Sequence, residues 1–546
     1  MNLRIKCLAV STVLGLTLCP PVKAQTIDEL KAQLQQMQRQ LNRLEAQQRR
    51  TSGQVQRQAR TPPSRAPSTL QVEQAEQAAA QAQAAAQQAQ QNAQQIQQQA
   101  TQAALDQFKP PKGKPGGLTV RIPQVNTTVR LYGFIKLNGT ADLTSRDRTD
   151  ALTAQSIQLH NSAANRQGGD TSITARRSRI GLETWTPIND TWGEFHTQFE
   201  MDFAGGSNPF GVSANTAATS NSYIPRLRLA YADFGKSKGG WGNFLFGQQT
   251  STFNDQALLP IQWMSDWDFV GLSNVRQAQL RYTYGFANGI SASAAVESPI
   301  SDVTSVQGSA FPDVAITGPT TPVNNVVNGV GYQTVPDFAG RVLWRDPTIG
   351  LLALRGVVRP TIGFNNNAGP IGSRFNKNTS GWGVGLTGVI NLLDGKLVLM
   401  ASGNAGQGLG RYLTNTANGF SAVTNIGLPG VTGATSSIDD VGVYGGMVGA
   451  QYFFTPTLRT NMSIGAARLN YPDYASQFCS TGASICSSVN TSMWAAAINL
   501  VWSPFKAVDL GIEYQHLERS LIAGGTPALG SGGIVNRIQL TAIGRF

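Results

Sequence analysis

The sequence predicts an all-β transmembrane barrel of about 16 antiparallel strands, preceded by an N-terminal α-helical coiled-coil stalk. Three observations carry that prediction. From about Val129 onward apolar and polar residues alternate over segments of roughly ten residues, the pattern of a strand with one face in lipid. The spacers between these segments alternate between short turns and long loops. Before residue 119 the period is instead that of a heptad, with apolar steps of three and four.

Composition narrows the alternatives. Only 14% of the 546 residues are charged, against roughly a quarter in an ordinary soluble protein. The longest apolar run lies within the first two dozen residues, so a polytopic helical membrane protein, which needs several runs of about 20, is excluded. Four Cys are too few for a stapled secreted domain of this length. The net charge of +12 does not describe a basic domain, because residues 119–546 carry 29 basic and 25 acidic residues. Nucleic acid is therefore not an expected partner.

Residues 1–24 read as a secretory signal peptide: Arg4 and Lys6, the apolar stretch Leu8 to Leu18, and a small-residue site at Val22-Lys23-Ala24. A lipid anchor on Cys19 is the rival reading, opposed by Leu18 before it and Pro20 after it. Residues 25–50 form a coiled coil with Ile27, Leu30, Leu34, Met37, Leu41 and Leu44 as its seam. Residues 51–70, broken by Gly53, Pro62, Pro63 and Pro67, are a linker. Residues 71–108 repeat the heptad with an alanine seam from Val72 to Ala103 among glutamines; both types favour helix, though alanine buries little. Residues 109–118, rich in Lys, Pro and Gly, are a second linker, and residues 119–546 are the barrel.

Within the barrel, sixteen alternating segments begin near 129, 172, 192, 224, 241, 274, 290, 337, 351, 380, 396, 440, 457, 490, 507 and 534. In the first, Val129, Leu131, Gly133, Ile135 and Leu137 share a face opposite Arg130, Lys136 and Asn138. An even strand number returns both ends to one side, and open edges are intolerable in lipid, so the sheet closes. The expected location is the outer membrane of a Gram-negative bacterium, with the stalk in the periplasm. In the last segment Ile538, Leu540, Ala542 and Phe546 oppose Arg537, Gln539, Thr541 and Arg545. A terminal aromatic on such a strand resembles the assembly signal of bacterial outer-membrane barrels. The expected partners are then the barrel-assembly machinery, outer-membrane lipid and lipopolysaccharide, and the cell wall through the stalk.

Nothing nominates a catalyst or a cofactor. Gly383-Val384-Gly385-Leu386-Thr387-Gly388 has the spacing of a phosphate-binding loop, but it lies inside a strand pattern with no helix to follow. His160, His196 and His516 show no metal spacing, and no Gly-x-Ser-x-Gly elbow occurs. No enzyme activity, cofactor or metal is expected. The excess is in arginine: 23 Arg against 6 Lys in residues 119–546. The polar faces carry Lys136, Arg177, Arg179, Arg226, Arg228, Arg281, Arg341, Arg345, Arg355 and Arg537, which become candidates for lining an anion-attracting lumen. Guanidinium offers a planar fork matched to carboxylate, and rings of such residues select anions in pores. Pairing with lumenal acids as mere filling is the competing reading for each. The spacer at 252–273 carries aromatics with Asp255, Asp266 and Asp268; it either folds inward as a constriction loop or packs on a neighbouring subunit. Cys479 and Cys486 are expected to pair in an oxidising compartment, with two free thiols as the alternative.

The stretches Leu131–Leu137, Ala175–Gly181, Arg226–Tyr231, Phe246–Phe253 and Arg276–Tyr282 resemble the DcaP-like outer-membrane porins, a family associated with dicarboxylate uptake. The resemblance covers the first six strands well. It implies a homotrimer of sixteen-stranded barrels with an N-terminal coiled coil and an arginine-lined, anion-preferring pore. The Ala/Gln block and its Pro-rich flanks depart from the family pattern. The functional expectation is a porin for passive diffusion of small, preferentially anionic solutes. The alternative is a structural tether or adhesin-like barrel anchoring a periplasmic coiled coil.

Overall fold

The computed structural model describes Leu118–Phe546 except 146–150, 155–156, 167, 206–223, 237–238, 306–309, 313–329, 366–375, 414–420, 426–436, 481–485, 488 and 523–527, and before residue 118 only Arg39. The signal peptide, both heptad blocks and the linkers lie outside the described residues.

Sixteen antiparallel strands make the wall: β1 Thr127–Asp142, β2 Arg179–Asn189, β3 Gly193–Asp202, β4 Arg226–Lys236, β5 Gly242–Thr250, β6 Arg276–Gly285, β7 Ile290–Glu297, β8 Asp337–Asp346, β9 Gly350–Asn365, β10 Asn376–Leu392, β11 Leu397–Gln407, β12 Gly442–Thr455, β13 Leu458–Asn470, β14 Asn490–Phe505, β15 Val508–Leu521 and β16 Gly532–Arg545. Each pairs with its neighbour in sequence, and the sheet closes where β1 meets β16, from Phe134↔Arg545 to Asp142↔Arg537. Three short strands extend it, one of them Val330–Tyr332 against Gly363–Asn365 of β9. Leu118–Ile122 pairs with the start of β1, and Asp170–Thr174 pairs with Asn138–Asp142 above β2. Between the latter and β2, Ala175–Ser178 leave the ladder in a tight turn, the Ser178 amide bonding to the Ala175 carbonyl at 3.0 Å. The strand expected to begin near 172 is therefore broken in two.

Short turns gather at one end and long connections at the other. Asn288 and Gly289, at φ 58° and 77°, make the turn into β7; Asn-Gly supplies the left-handed pair that a twisted hairpin requires. At the loop end, strands Asp302–Ser305, Ala310–Pro312, Ala422–Asn425 and Ser437–Asp440 form a separate small sheet, under which Val303, Ile362, Phe364, Ala422 and Ile438 are buried.

The period-two pattern becomes an inside-out protein. Ile135, Leu280 and Leu540 point outward at 62%, 65% and 58% exposure, while Asn138, Gln279, Asn404, Asn461, Asn499 and Gln539 point inward and are buried. An apolar exterior over a polar interior is the arrangement that suits a barrel surrounded by lipid. No helix among the described residues is long and apolar enough to cross a membrane.

Candidate functional site: the inserted loop and the lumenal arginines

The connection from Ser251 to Val275, between β5 and β6, turns into the lumen and is held there by three carboxylates of different origin. Glu297, at the end of β7, accepts the Ser251 hydroxyl and the Thr252 amide, both at 2.7 Å. Asp255, on the loop itself, accepts the Ser273 amide at 2.7 Å, the Ser402 hydroxyl at 2.6 Å and the Asn404 amide at 2.8 Å. Glu513 of β15 accepts the Met264 amide at 2.7 Å, the Ser265 amide at 3.2 Å and the Asn499 side chain at 2.8 Å. A buried carboxylate without such donors would be costly; here the loop backbone supplies them. Trp263 donates to Ser463 at 2.9 Å, and Lys136 reaches Asp266 at 2.6 Å.

Apolar packing completes the anchorage. Phe253, Met264, Trp267, Phe269, Val270 and Leu272 are buried, with Trp267 edge-on to Phe269 at 4.8 Å. The loop meets the wall backbone to backbone at Gly271, which has φ 85° and where a Cβ would stand 2.5 Å from the Gly446 nitrogen. Only glycine fits on both counts.

The loop occupies one side of the lumen. Inward side chains of β9–β16, including Thr387, Ser402, Asn404, Asn499, Glu513, Gln515 and Gln539, are buried. On β2–β8, Glu200, Asp202, Gln279 and Glu297 are buried too, but Glu183, Gln198, Arg228, Tyr231, Arg281 and Arg341 are only partly buried. The open passage therefore runs along the β2–β8 wall.

That wall carries most of the candidate arginines, in two settings. In the first, Arg226 bonds Asp202 through Nε at 2.9 Å and Nη2 at 2.6 Å. Arg228 bonds Glu200 at 3.0 Å and Asp202 at 2.7 Å, and Arg179 reaches Glu200 at 3.2 Å. Three guanidinium groups thus share two carboxylates. In the second, Arg281 donates to Gln279 and to the Thr250 carbonyl, with the Glu297 charge acting on it, and the Arg341 side chain makes no hydrogen bond or ion pair among the described residues. The charges that act on Arg341 are those of Arg281, Arg355 and Arg345. Arg345 is exposed near the turn end, and Arg177 is half-buried at the break before β2.

Three candidates do not face the passage. The Arg355 side chain is fully buried behind the loop, bonded to the Phe253 carbonyl at 2.7 Å, to Asn404 at 3.1 Å and to Thr387 at 2.9 Å, with Asp255 at 3.4 Å. Arg537 is equally buried against Asp142 at 2.7 Å. Lys136 is nearly so, beneath Asp266. Across the passage, Asp266 and Asp268 of the loop act on Arg179 and Arg276 respectively. Asp268 also accepts Asn274 at 2.6 Å. The sequence does not single out Arg276 or Glu297, whereas Arg359 reads there as a polar-face arginine beside Arg355. Arg359 is buried between Asp302 at 2.8 Å and Asp337 at 3.4 Å beneath the small outer sheet.

The remaining motifs resolve simply. Gly383, Gly385 and Gly388 lie within β10, which runs on to β11 through a turn. His196 bonds Asp233 at 2.7 Å and stacks on Trp185. No cluster of three or more His, Cys, Asp or Glu among the described residues could hold a metal. Cys479 and Cys486 are disulfide-bonded at the loop end, Cys479 closing the helix Asp473–Cys479. Phe546 exchanges backbone hydrogen bonds with Gly133 in both directions, at 3.1 and 3.2 Å.

A closed sixteen-stranded barrel with a loop folded into it from between the fifth and sixth strands is the architecture of porins. Among solved structures, the outer membrane channel DcaP of Acinetobacter baumannii is similar over 77% of this chain and 97% of its own, with 21% identity and a TM-score of 0.54. OprB of Pseudomonas putida matches 76% of this chain and 94% of its own at 11% identity and TM-score 0.44. Salmonella typhi OmpF matches 78% and 99% at 12% identity and TM-score 0.43. The likeness to DcaP is one of fold. No family model matches the sequence, and no curated protein matches it.

Proposed function

We propose that this chain is a DcaP-like porin of a Gram-negative outer membrane, passing small solutes passively and preferring anions, carboxylates above all. One observation carries the reading: among the described residues, Arg281 and Arg341 stand on the open wall with no carboxylate bonded to either, the Glu297 charge acting on Arg281 and only other guanidinium groups on Arg341. The acids nearest the passage are already engaged, Glu200 and Asp202 by three guanidinium groups and Asp266 by Lys136. Charge without a bonded counterion beside a low-dielectric wall is screened less than in bulk water, so its field reaches across a narrow passage. The inserted loop constricts that passage from the opposite side.

A planar bilayer holding the full mature chain in a salt gradient tests this directly. The reversal potential is expected on the anion side, and current block by a dicarboxylate is expected to exceed block by an uncharged analogue. A cation-side potential would refute the reading.

The same reading makes the assembly a homotrimer. Strands β5 to β8 span only 8 to 10 residues against 16 and 17 for β9 and β10. Outside this low wall lies an apolar groove of about 1260 Å³ lined by Phe244, Phe246, Leu280, Tyr282 and Phe338, a face suited to neighbouring copies.

A further inference from the structure

A second groove lies on the outward face, over β9–β15, and its shape follows from strand register. One hydrogen-bonded row crosses the wall as Leu354, Leu386, Gly403, Gly446, Ala466, Trp494 and Glu518. Large side chains stand at its ends and almost nothing stands in the middle. The result is an outward cavity of about 760 Å³. It continues into another of about 670 Å³ that shares Leu386, Gly403, Gly446 and Ala466 and runs on toward Gly388, Ala401 and Val448.

The fold does not require that gap throughout. Gly446 is constrained, since a Cβ there would stand 2.5 Å from the Ser402 carbonyl oxygen. Gly403 is not: a Cβ there would meet nothing within 4 Å, and its φ is not left-handed.

Charge distinguishes this groove from the aromatic one. At its loop end the next row toward the rim places Arg468 between Tyr444 and Ser492. Arg468 is exposed, two residues before β13 ends, and makes no ion pair or hydrogen bond among the described residues. Beside it Trp494 donates to Glu518 at 2.9 Å. A guanidinium on the lipid face with no side-chain partner among the described residues is expensive in hydrocarbon and favourable at a phosphate layer. A basic group above an apolar cleft matches a phosphorylated lipid with its chain below.

We propose that this groove is a binding site for a phosphorylated acyl glycolipid of the outer leaflet, lipopolysaccharide of the lipid A type. An acyl chain lies over Gly403, Gly446 and Ala466, and a phosphate is held by Arg468. The inference rests on the outer-membrane placement proposed above, but not on ion selectivity.

Native mass spectrometry of the full mature protein titrated with rough lipopolysaccharide tests it. Wild type is expected to retain the glycolipid. Gly403→Trp, which fills the groove from an open position, and Arg468→Ala are each expected to weaken retention about tenfold or more, the loss of a chain contact or of a charge-assisted bond. Ile538→Trp, elsewhere on the lipid face, is expected to bind as wild type does. Equal retention by Gly403→Trp and wild type overturns the proposal. So does equal retention of an uncharged diacylglycerol, or loss of oligomer in Gly403→Trp with lipid binding unchanged. Conductance measured on the same samples separates failure of this site from failure of the porin reading.

Discussion

Arg341 and Arg355 stand directly opposite each other in the β8–β9 register, yet they serve different ends. Arg355 is sealed behind the inserted loop and spends its donors on Phe253, Asn404, Thr387 and Ser402. Arg341, one strand over, faces the passage with only other guanidinium groups acting on it. The edge of the loop falls between them, and the difference separates a structural arginine from one free to meet solute.

The double variant Arg281→Ala/Arg341→Ala removes two wall arginines that have no carboxylate bonded to them among the described residues; Glu297 acts on Arg281, and only other guanidinium groups act on Arg341. Its anion-to-cation permeability ratio is expected to fall toward unity in a bi-ionic bilayer measurement. Arg228→Ala, made beside Glu200 and Asp202, leaves that pair intact and should retain part of the preference. Both differences should shrink near 1 M salt, where the Debye length is about 3 Å. Unchanged selectivity in the double variant would make these arginines filling.

Glu513→Leu leaves the Met264 and Ser265 amides and the Ser265 hydroxyl without this acceptor, while Asn499 keeps the Gln262 carbonyl. Each buried donor so orphaned costs about 1–3 kcal/mol, enough to loosen the loop without opening the wall. Larger and noisier single-channel currents are expected from a barrel that still migrates as folded on unheated gels. Currents like those of wild type would show that Glu513 does not hold the loop.

Reduction of the Cys479–Cys486 bridge should be tolerated. It closes a short loop, so its stabilisation is below about 3 kcal/mol, and it lies at the loop end, outside the wall ladder. Thiol labelling of the denatured mature chain should be silent before reduction and modify two sulfurs after it, with little change in the barrel's melting temperature.

Gly133→Val should block assembly more severely than Phe546→Ala. A Cβ at Gly133 would stand 2.3 Å from the Arg179 carbonyl oxygen and 2.8 Å from the Phe546 ring, so any larger side chain forces β2 and the C-terminus away together. Folded protein recovered from the outer membrane is the readout; equal yields from Gly133→Val and wild type would contradict the seam geometry.

Strand positions were legible because lipid enforces period two along nearly every segment; segments expected from 290, 337 and 490 begin at those residues. The exception is informative. Arg176 to Arg179 are four polar residues in a row, and across them the outward apolar phase moves from Ile173 to Ile180, so the pattern itself carries the break, at which Ser178 accepts the Lys136 amide at 3.0 Å. Parity likewise found the polar-face arginines. It could not tell Arg341 from Arg355, because their difference lies in where a loop some hundred residues earlier comes to rest. Glu297 and Glu513 look alike as acids on strands, and only the folded loop shows that both grip its backbone.

The seam at Phe134↔Arg545 also fixes an order of events. The first wall strand to leave the ribosome is the partner of the last, so much of the inner edge of β1 stays unpaired until the whole chain exists. An open edge of that kind recruits any strand it meets, and contacts so distant in sequence are slow to form. The loop must also seat against Glu513, which is made some 250 residues later. Neither the wall nor its filling can be finished piecemeal: this chain matures in one late step, and truncation anywhere near its C-terminus forfeits the entire structure rather than a single strand.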